Sequence, residues 1–432
     1  MNQLTLKPIS AISGEINLPG SKSLSNRALL LAALCPEETR LVNLLKSEDT
    51  EQMVAALRQL GVAIDLSKDY QSCKVRGNNG LFSPPNDTTF FLGNAGTAIR
   101  PLTGMLAMMP GTFIVDGDDY MRVRPIHHLV DALIELGASV QYLGEPNCPP
   151  IRVTGGRIKG GPVSVRGDIS SQYLTSLLMS LPLASRDSTV NVIGDQVSKP
   201  YLDLTLDIMQ RFGVLATHDN YQSYQIPANQ TYQSPGQYLI EGDASSASYF
   251  FAAAAIKGGT IKVNGIGKES VQGDFDFLDV IEAMGAIVRR GDTWVEVEGA
   301  PLQAIDMDLN HIPDAAMTIA TMALFAEGTT TIRNIYNWRV KETDRLHAMS
   351  TELRKLGAIV ETGDDYIIIE PPEVLQSAEI DTYGDHRVAM AFSLAALGNQ
   401  TITINNPEVT AKTFPDYFEV FASVCVPALK TA

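Results

Sequence analysis

Six stretches of the chain are apolar at almost every position: residues 28–34, 101–109, 174–184, 247–256, 315–326 and 388–397. A helix that is apolar on all faces has no solvent side, so these six are predicted to be buried all round. Each follows a polar or glycine-bearing segment and precedes a threonine that opens a strand: Thr39, Thr112, Thr189, Thr260, Thr329 and Thr401. A second kind of helix alternates with the first. It is amphipathic and ends in a glycine followed by a small or branched apolar residue, at Leu60-Gly61-Val62, Leu136-Gly137-Ala138, Phe212-Gly213-Val214, Met284-Gly285-Ala286 and Leu356-Gly357-Ala358. These glycines are 76, 76, 72 and 72 residues apart. Glycine suits the place because the residue closing a helix adopts positive φ. Strand-like runs such as Tyr366-Ile-Ile-Ile-Glu370 follow. The chain reads as one strand-helix-strand-helix-strand-strand unit repeated six times.

Six buried helices against five glycine-terminated ones leave the last unit incomplete, its final helix falling at 414–424. Residues 4–20 resemble the hairpins that precede the other capped helices and are expected to supply the missing one. The count then closes as an α/β fold of two domains, each of three βαβαββ units with buried parallel helices. One domain is expected at residues 21–240 and the other at 1–20 plus 241–432, the chain crossing near 20 and near 240. A single extended solenoid is the alternative, but it leaves its terminal repeats uncapped.

Composition narrows the partners. Among 432 residues, 33 Lys and Arg face 49 Asp and Glu, a net charge of −16 that repels nucleic acid and anionic membranes, so neither is an expected partner. No apolar run approaches the roughly 20 residues a membrane helix needs. The N-terminus lacks a basic segment followed by an apolar one, so a cytoplasmic location is expected. The four cysteines lie far apart with no Cys-x-x-Cys spacing, which argues against a structural metal and a disulfide scaffold. Against this acidic background a local crowd of cations is informative.

Such crowds occur at the starts of the buried helices. Leu18-Pro-Gly-Ser-Lys-Ser-Leu-Ser-Asn-Arg27 breaks the preceding segment at Pro19-Gly20, offers Ser21 or Ser23 as a cap, and projects Lys22 and Arg27. Its spacing is not that of a nucleotide P-loop. The second start holds Asn94, Gly96, Thr97 and Arg100, and the third Asp168, Ser170, Ser171, Gln172 and Tyr173. The fourth is Asp243-Ala-Ser-Ser-Ala, the fifth Pro313-Asp314, the sixth Gly384-Asp385-His386-Arg387. Any one of these is compatible with an ordinary capped helix. Together they suit a ligand with several anionic groups, each charge-assisted hydrogen bond contributing about 1.5–3 kcal/mol and each helix dipole about 0.3–1 kcal/mol. Arg122 and Arg124 sit in a loop that also fits a surface ion-pair network. The run from Asn337 through Lys341, Glu342 and Arg345 to His347 also fits simple i,i+3 and i,i+4 pairing. Lys412 precedes Thr413, a candidate cap for the last helix.

Five motifs span the chain in order: Leu18-Pro-Gly-Ser-Lys-Ser, Gly93-Asn-Ala-Gly-Thr-Ala-x-Arg-Pro101, Arg333-Asn-x-x-x-x-Arg-Val-Lys-Glu-Thr-Asp-Arg345, Gly384-Asp-His-Arg-Val-Ala-Met390 and Lys412-Thr-Phe-Pro-Asp416. This set resembles the motifs of the 5-enolpyruvylshikimate-3-phosphate synthases. The resemblance implies an enolpyruvyl transferase-like fold whose two domains close on the substrates, with the active site in the cleft between them. It implies transfer of the enolpyruvyl group of phosphoenolpyruvate to the 5-hydroxyl of shikimate 3-phosphate, with release of phosphate. By matching motifs, Lys22, Ser23, Arg27, Ser170, Ser171, Gln172, Ser198, Tyr201, Asp314, Asn337 and Lys341 would hold shikimate 3-phosphate, mainly on the 21–240 domain. Lys22, Gly96, Arg124, Gln172, Arg345, His386, Arg387 and Lys412 would surround phosphoenolpyruvate, mainly on the other. Lys22, Asp314 and Glu342 are the implied catalytic residues: Asp314 for the hydroxyl proton, Glu342 for the C3 proton, Lys22 for developing charge. No cofactor or metal is implied, a monomer is expected, and Gly96 suggests glyphosate as an inhibitor competing with phosphoenolpyruvate. The alternative within the fold is enolpyruvyl transfer to a UDP-amino sugar. That family typically carries a cysteine on the loop corresponding to residues 116–125, which here has none. A non-enzymatic repeat scaffold would explain the periodicity but not cations at helix N-termini.

Overall fold

The computed structural model describes residues 3–82 and 84–427. The chain falls into two compact units, one running Gly20–Ile240 and the other combining the chain up to Pro19 with the chain from Glu241 onward. Each has its own apolar core.

In the first unit the buried helices are Lys22–Leu34, Gly96–Met108 and Ser171–Ser180. In the second they are Ala244–Lys257, Ala316–Met322 and His386–Ser393. Burial is nearly total because these sequences offer no polar face. In the first unit's three helices the half-buried exceptions near the start are Ser23, Thr97 and Gln172, one polar residue in each first turn. Five of the six begin two to six residues earlier than their apolar runs, so the polar starts are helical themselves. Three of the expected stretches finish as 3-10 turns, at Leu181–Leu183, Ala323–Phe325 and Leu394–Gly398. In the first of these Pro182 has no N–H to extend the α-helical ladder.

The glycine-terminated helices share one device. In Glu48–Gln59 the Gly61 N–H donates to the Arg58 carbonyl at 2.9 Å and the Val62 N–H to the Leu57 carbonyl at 3.0 Å. The same pair of bonds recurs at Gly137, Gly213, Gly285 and Gly357, all with positive φ. This is a Schellman closure, and the apolar residue after each glycine is the one whose N–H reaches back to the helix.

Each unit of sequence yields one small mixed sheet. In the second, Thr88–Phe91 runs parallel to Gly111–Asp116, which is antiparallel to Ile151–Gly155, itself antiparallel to Ser139–Tyr142. The parallel pair flanks the buried helix Gly96–Met108, an ordinary β-α-β crossover. The strand threonines lie within one residue of a strand start in all six units.

Two expectations fail here. Residues 4–20 do not form one hairpin. Gln3–Leu6 pairs antiparallel with Ile402–Asn405, while Ile9–Asn17 pairs parallel with Thr260–Asn264 and antiparallel with Cys425–Pro427. Gln237–Leu239 likewise pairs parallel with Glu38–Val42, far back in the chain. The strand before each crossing stays in the unit it came from, and the vacated leading place in the other unit is filled by a strand from that unit's far end. Secondly, Thr413 does not cap the last helix, Tyr417–Val424; Asp416 occupies that place without a side-chain bond.

Gly61 has φ +84°, and a Cβ there would meet no atom within 4 Å. Gly61→Ala therefore isolates backbone strain, expected to cost about 1–2 kcal/mol and to lower the urea midpoint of unfolding. An unchanged midpoint would show that the closure tolerates a side chain.

Candidate functional site

In the Gly20–Ile240 unit, Lys22–Leu34 starts without a side-chain cap, since Ser21 occupies the N-cap and makes no such bond; neither serine expected to cap it does so. The N–H groups of the first turn are thus left to other acceptors. Lys22 is 8% exposed and lies 3.7 Å from Asp49. Arg27, 3% exposed, donates from Nε to Thr205 Oγ1 at 2.9 Å, from Nη1 to the Ser23 carbonyl at 3.0 Å, and from Nη2 to Thr175 Oγ1 and the Tyr201 carbonyl at 3.4 and 3.5 Å. Every one of these partners is neutral. Burial accordingly pulls its pKa down to about 10, and an anionic ligand would relieve that penalty.

Gly96–Met108 also starts uncapped, at Ala95. A Cβ on Gly96 would lie 2.6 Å from Arg100 Nη1, 2.9 Å from Gln172 Oε1 and 3.1 Å from Arg124 Nη2, so the absent side chain is what lets two guanidiniums converge on the helix start. Arg100 donates to Gln172 Oε1 at 2.7 Å and to the Pro125 carbonyl at 3.1 Å. Arg124 is buried and donates to Asn94, at 2.7 Å to its Oδ1. The two arginines of this loop thus divide: Arg122 pairs at the surface with Asp116 at 2.8 Å, and Arg124 turns inward. Ser170 caps the third helix through the Gln172 N–H at 3.2 Å, with Ser171 buried beside it. Ser198, buried at φ +54°, leads into the helix that carries Tyr201. Asn26 Nδ2 donates to Thr97 Oγ1 at 2.8 Å, which ties the first two helix starts together. Helix Ser171–Ser180 bridges both sets, with Gln172 on Arg100 and Thr175 on Arg27.

In the other unit the centre is Arg345, 1% exposed, at the start of helix Arg345–Lys355. It holds three carboxylates: Asp385 at 2.7 Å, Asp314 at 2.6 Å and Glu342 at 3.0 Å. The i,i+3 pairing with Glu342 is present, but as one arm of this buried cluster. Asp314 continues to Arg387 Nη2 at 2.9 Å, and Glu342 to Lys412 Nζ at 3.4 Å, giving a row of alternating charges. Burial works to raise the Asp314 carboxyl, but Arg387, Arg345 and Lys341 outweigh it and hold it well below the ordinary value. Burial also opposes the charge on Arg345, and Asp385, Glu342 and Asp314 overcome it. Asp385 caps helix His386–Ser393 through the Arg387 N–H at 2.9 Å. His386 is fully buried, its Nδ1 3.5 Å from Asp385 Oδ1. Asn337 is buried in the 3-10 turn Tyr336–Val340, and half-buried Lys341 follows it.

The sequence pointed to neither Asp49 nor Asp274, and to Asp385 only as a cap. Asp274 is buried and accepts from Ser245 Oγ; burial, then Asp314, push its carboxyl up to about 7. Its partners are 29 and 40 residues away, so no local spacing could mark it. Among the described residues no three His, Cys, Asp or Glu side chains converge as a metal site requires, and no helix is long and apolar enough to cross a membrane.

The model of the EPSP synthase (3-phosphoshikimate 1-carboxyvinyltransferase) family matches residues 6–421. The chain belongs to this family. The 3-phosphoshikimate 1-carboxyvinyltransferase of Aliivibrio fischeri (strain MJ11) is 59% identical over 419 residues, 97% of this chain and 98% of the relative. That of Photobacterium profundum is 58% identical over 428 residues, 99% and 100% of the two chains. The EPSP synthase from Acinetobacter baumannii superposes with a TM-score of 0.83 at 25% identity, covering 98% of both chains. The enolpyruvyl transferase NikO from Streptomyces tendae, at 16% identity and TM-score 0.78 over 98% of both, shares the fold. The family resemblance carried by the five motifs is thus borne out over nearly the whole chain, as is the enolpyruvyl transferase-like fold class.

Asp274 gives an EPSP synthase of this kind a testable pH dependence. Burial and Asp314 push its carboxyl up from an ordinary 3.8 to about 7 in the folded chain, so between these values the folded chain keeps a proton that the unfolded chain releases. Stability should therefore fall as pH rises through that window. Asp274→Asn removes the titration, so its stability relative to wild type, measured by denaturant titration, should grow from about pH 4 to about pH 7 and then level off. A pH-independent difference would overturn this.

Proposed function

We propose that the protein transfers the enolpyruvyl group of phosphoenolpyruvate to the 5-hydroxyl of shikimate 3-phosphate and releases phosphate. The observation that carries the reading is the placing of buried cations at uncapped helix starts, with Arg27 and Arg124, among the described residues, hydrogen-bonded to neutral groups. Both substrates combine a carboxylate with a phosphate. At about 4 Å each opposite-charge pair contributes about 4 kcal/mol at an effective dielectric of about 20. Lys22, Ser23, Arg27, Ser170, Ser171, Gln172, Ser198, Tyr201, Asp314, Asn337 and Lys341 are assigned to shikimate 3-phosphate. Lys22, Gly96, Arg124, Gln172, Arg345, His386, Arg387 and Lys412 are assigned to phosphoenolpyruvate.

The chemistry needs two proton transfers in the addition and a third in the elimination. As the 5-hydroxyl adds to C2 of phosphoenolpyruvate it loses its proton, while C3 gains one, and a tetrahedral ketal forms. Loss of phosphate and of a C3 proton then gives the enol ether. Asp314 is the acceptor for the hydroxyl proton, a role that fits a carboxylate kept ionised by Arg345 and Arg387. Glu342 serves C3, and Lys22 stabilises charge as it develops. The same reading takes the protein as a cytoplasmic monomer and makes glyphosate a competitor of phosphoenolpyruvate.

Mixing the protein with the two substrates should release phosphate, and Asp314→Ala and Glu342→Ala should each lower kcat by about a hundredfold or more while remaining folded. Release with a UDP-amino sugar acceptor but not with shikimate 3-phosphate would replace this reading by the alternative; near-normal turnover of either variant would remove its assigned role. Gly96→Ala tests the convergence of arginines. The methyl would meet Arg100 Nη1 and Arg124 Nη2 at 2.6 and 3.1 Å, both flexible ends, so the chain should fold, KM for phosphoenolpyruvate should rise and glyphosate inhibition should weaken. Identical inhibition of both enzymes would count against that placement.

A further inference from the structure

Helix Arg345–Lys355 carries Arg345 at its start and, two turns later, Glu352, a carboxylate whose side chain is 0% exposed. Glu352 Oε1 accepts from the Tyr383 hydroxyl at 2.6 Å, and Oε2 accepts from the Asp381 N–H at 3.2 Å and pairs with Lys355 at 2.8 Å. Two of these three bonds grip the chain on either side of Thr382. A tight turn begins there, closed by the Asp385 N–H to the Thr382 carbonyl at 2.8 Å. Its central residues, Tyr383 at φ +54° and Gly384 at φ +68°, both take the left-handed conformation of a type I′ turn. Glycine adopts it freely; a tyrosine does so under strain, and such strain persists only where the surroundings impose it. The imposing group is Glu352, supported by the edge-on contact of the Tyr383 ring with His347 at 6.2 Å. The turn delivers Asp385, which takes Arg345 Nε at 2.7 Å, and then His386 and Arg387. One helix thus fixes the loop twice, with Glu352 before the turn and Arg345 after it.

We propose that Glu352 is a positioning residue: by holding the 381–385 turn to the helix that bears Arg345, it sets the placement of His386 and Arg387 for phosphoenolpyruvate. This rests on the assignment of Arg345, His386 and Arg387 to that substrate. A buried apolar side chain would serve packing alone at least as well. Two carboxylate oxygens, each spent on the loop, serve alignment.

The test is steady-state kinetics of the full-length chain with both substrates varied, alongside thermal unfolding. Glu352→Gln keeps the volume but leaves one acceptor oxygen in place of two. It should lower kcat/KM for phosphoenolpyruvate by about ten- to a hundredfold, chiefly through KM, with KM for shikimate 3-phosphate within about twofold of wild type. Tyr383→Phe, which removes a single hydroxyl, should show the same one-sided shift more weakly, and decides the matter if Glu352→Gln does not fold. Unchanged constants, or equal losses for both substrates, would overturn the proposal and leave Glu352 a stabilising residue only. A wild-type protein inactive on these two substrates would instead sink the proposed function, and this inference with it.

Discussion

The ion cluster around Arg345 is the constraint on which the 241-onward unit depends. A guanidinium at 1% exposure has surrendered its hydration, at an effective cost of several kcal/mol per buried ion. It recovers that cost only because Asp385, Asp314 and Glu342 meet its three nitrogens at 2.6–3.0 Å. With Arg387 and Lys412 on the outer oxygens, three cations balance three anions, and the row is neutral as a whole. Its members come from four separate stretches of chain, so the cluster specifies how those stretches pack as much as it stabilises them. It also settles the protonation of Asp314, which stays ionised against its own burial.

The other unit manages charge in the opposite way. Arg27 and Arg124 spend their hydrogen bonds on hydroxyl, amide and carbonyl oxygens, which orient a guanidinium without neutralising it. A cation held in this manner keeps most of its attraction for an incoming anion, whereas one already paired must exchange partners. Under the proposed function the division is chemical. Cations with neutral partners bind polyanions directly, Arg345, Arg387 and Lys412 bind by sharing or exchanging their carboxylate partners, and carboxylates poised between cations move protons. Lys22, 3.7 Å from Asp49, is intermediate: it is paired, but at a separation that leaves the pairing weak.

How much of this is legible in the sequence follows from how local each feature is. The glycine at each helix end is decided within six residues by the Schellman bonds, so the 76- and 72-residue spacing exposes five of the repeats directly. The all-apolar helices are legible for the same reason. The filling of each unit's leading place by a strand distant in the chain is not, because Ile9–Asn17 has the pattern of a strand whichever sheet receives it. The site divides likewise. Motifs contiguous in sequence mark Lys22, Gly96, Arg345 and Arg387, while Asp274 acts on partners tens of residues away, and Glu352 presents in sequence an ordinary i,i+3 pair with Lys355 that hides its bonds to Asp381 and Tyr383. Arg122 and Arg124 are two residues apart and equivalent by composition; only the fold turns one inward.

The helix starts divide along the same line as the charges. Three of the six buried helices close their own N-termini, through Ser170, Asp243 and Asp385. The starts at Ser21, Ala95 and Ala315 have no side-chain cap. A buried helix start needs acceptors for its first N–H groups, and the backbone supplies some of them here, the Asn94 carbonyl to the Gly96 N–H at 3.2 Å and the Ile312 carbonyl to the Ala316 N–H at 2.8 Å. The uncapped starts adjoin Lys22, Gly96 and Asp314, the first two at positions assigned to ligand anions and the third at the proposed proton acceptor. The capped starts fix the backbone beside Gln172, Ser245 and Arg387, of which Gln172 and Arg387 are themselves assigned to substrate under the proposed function. At Lys22 and Gly96, where the helix offers no side-chain oxygen of its own, ligand oxygens can take the place of a cap, so under the proposed function affinity and the uncapped starts of these two helices have one physical origin.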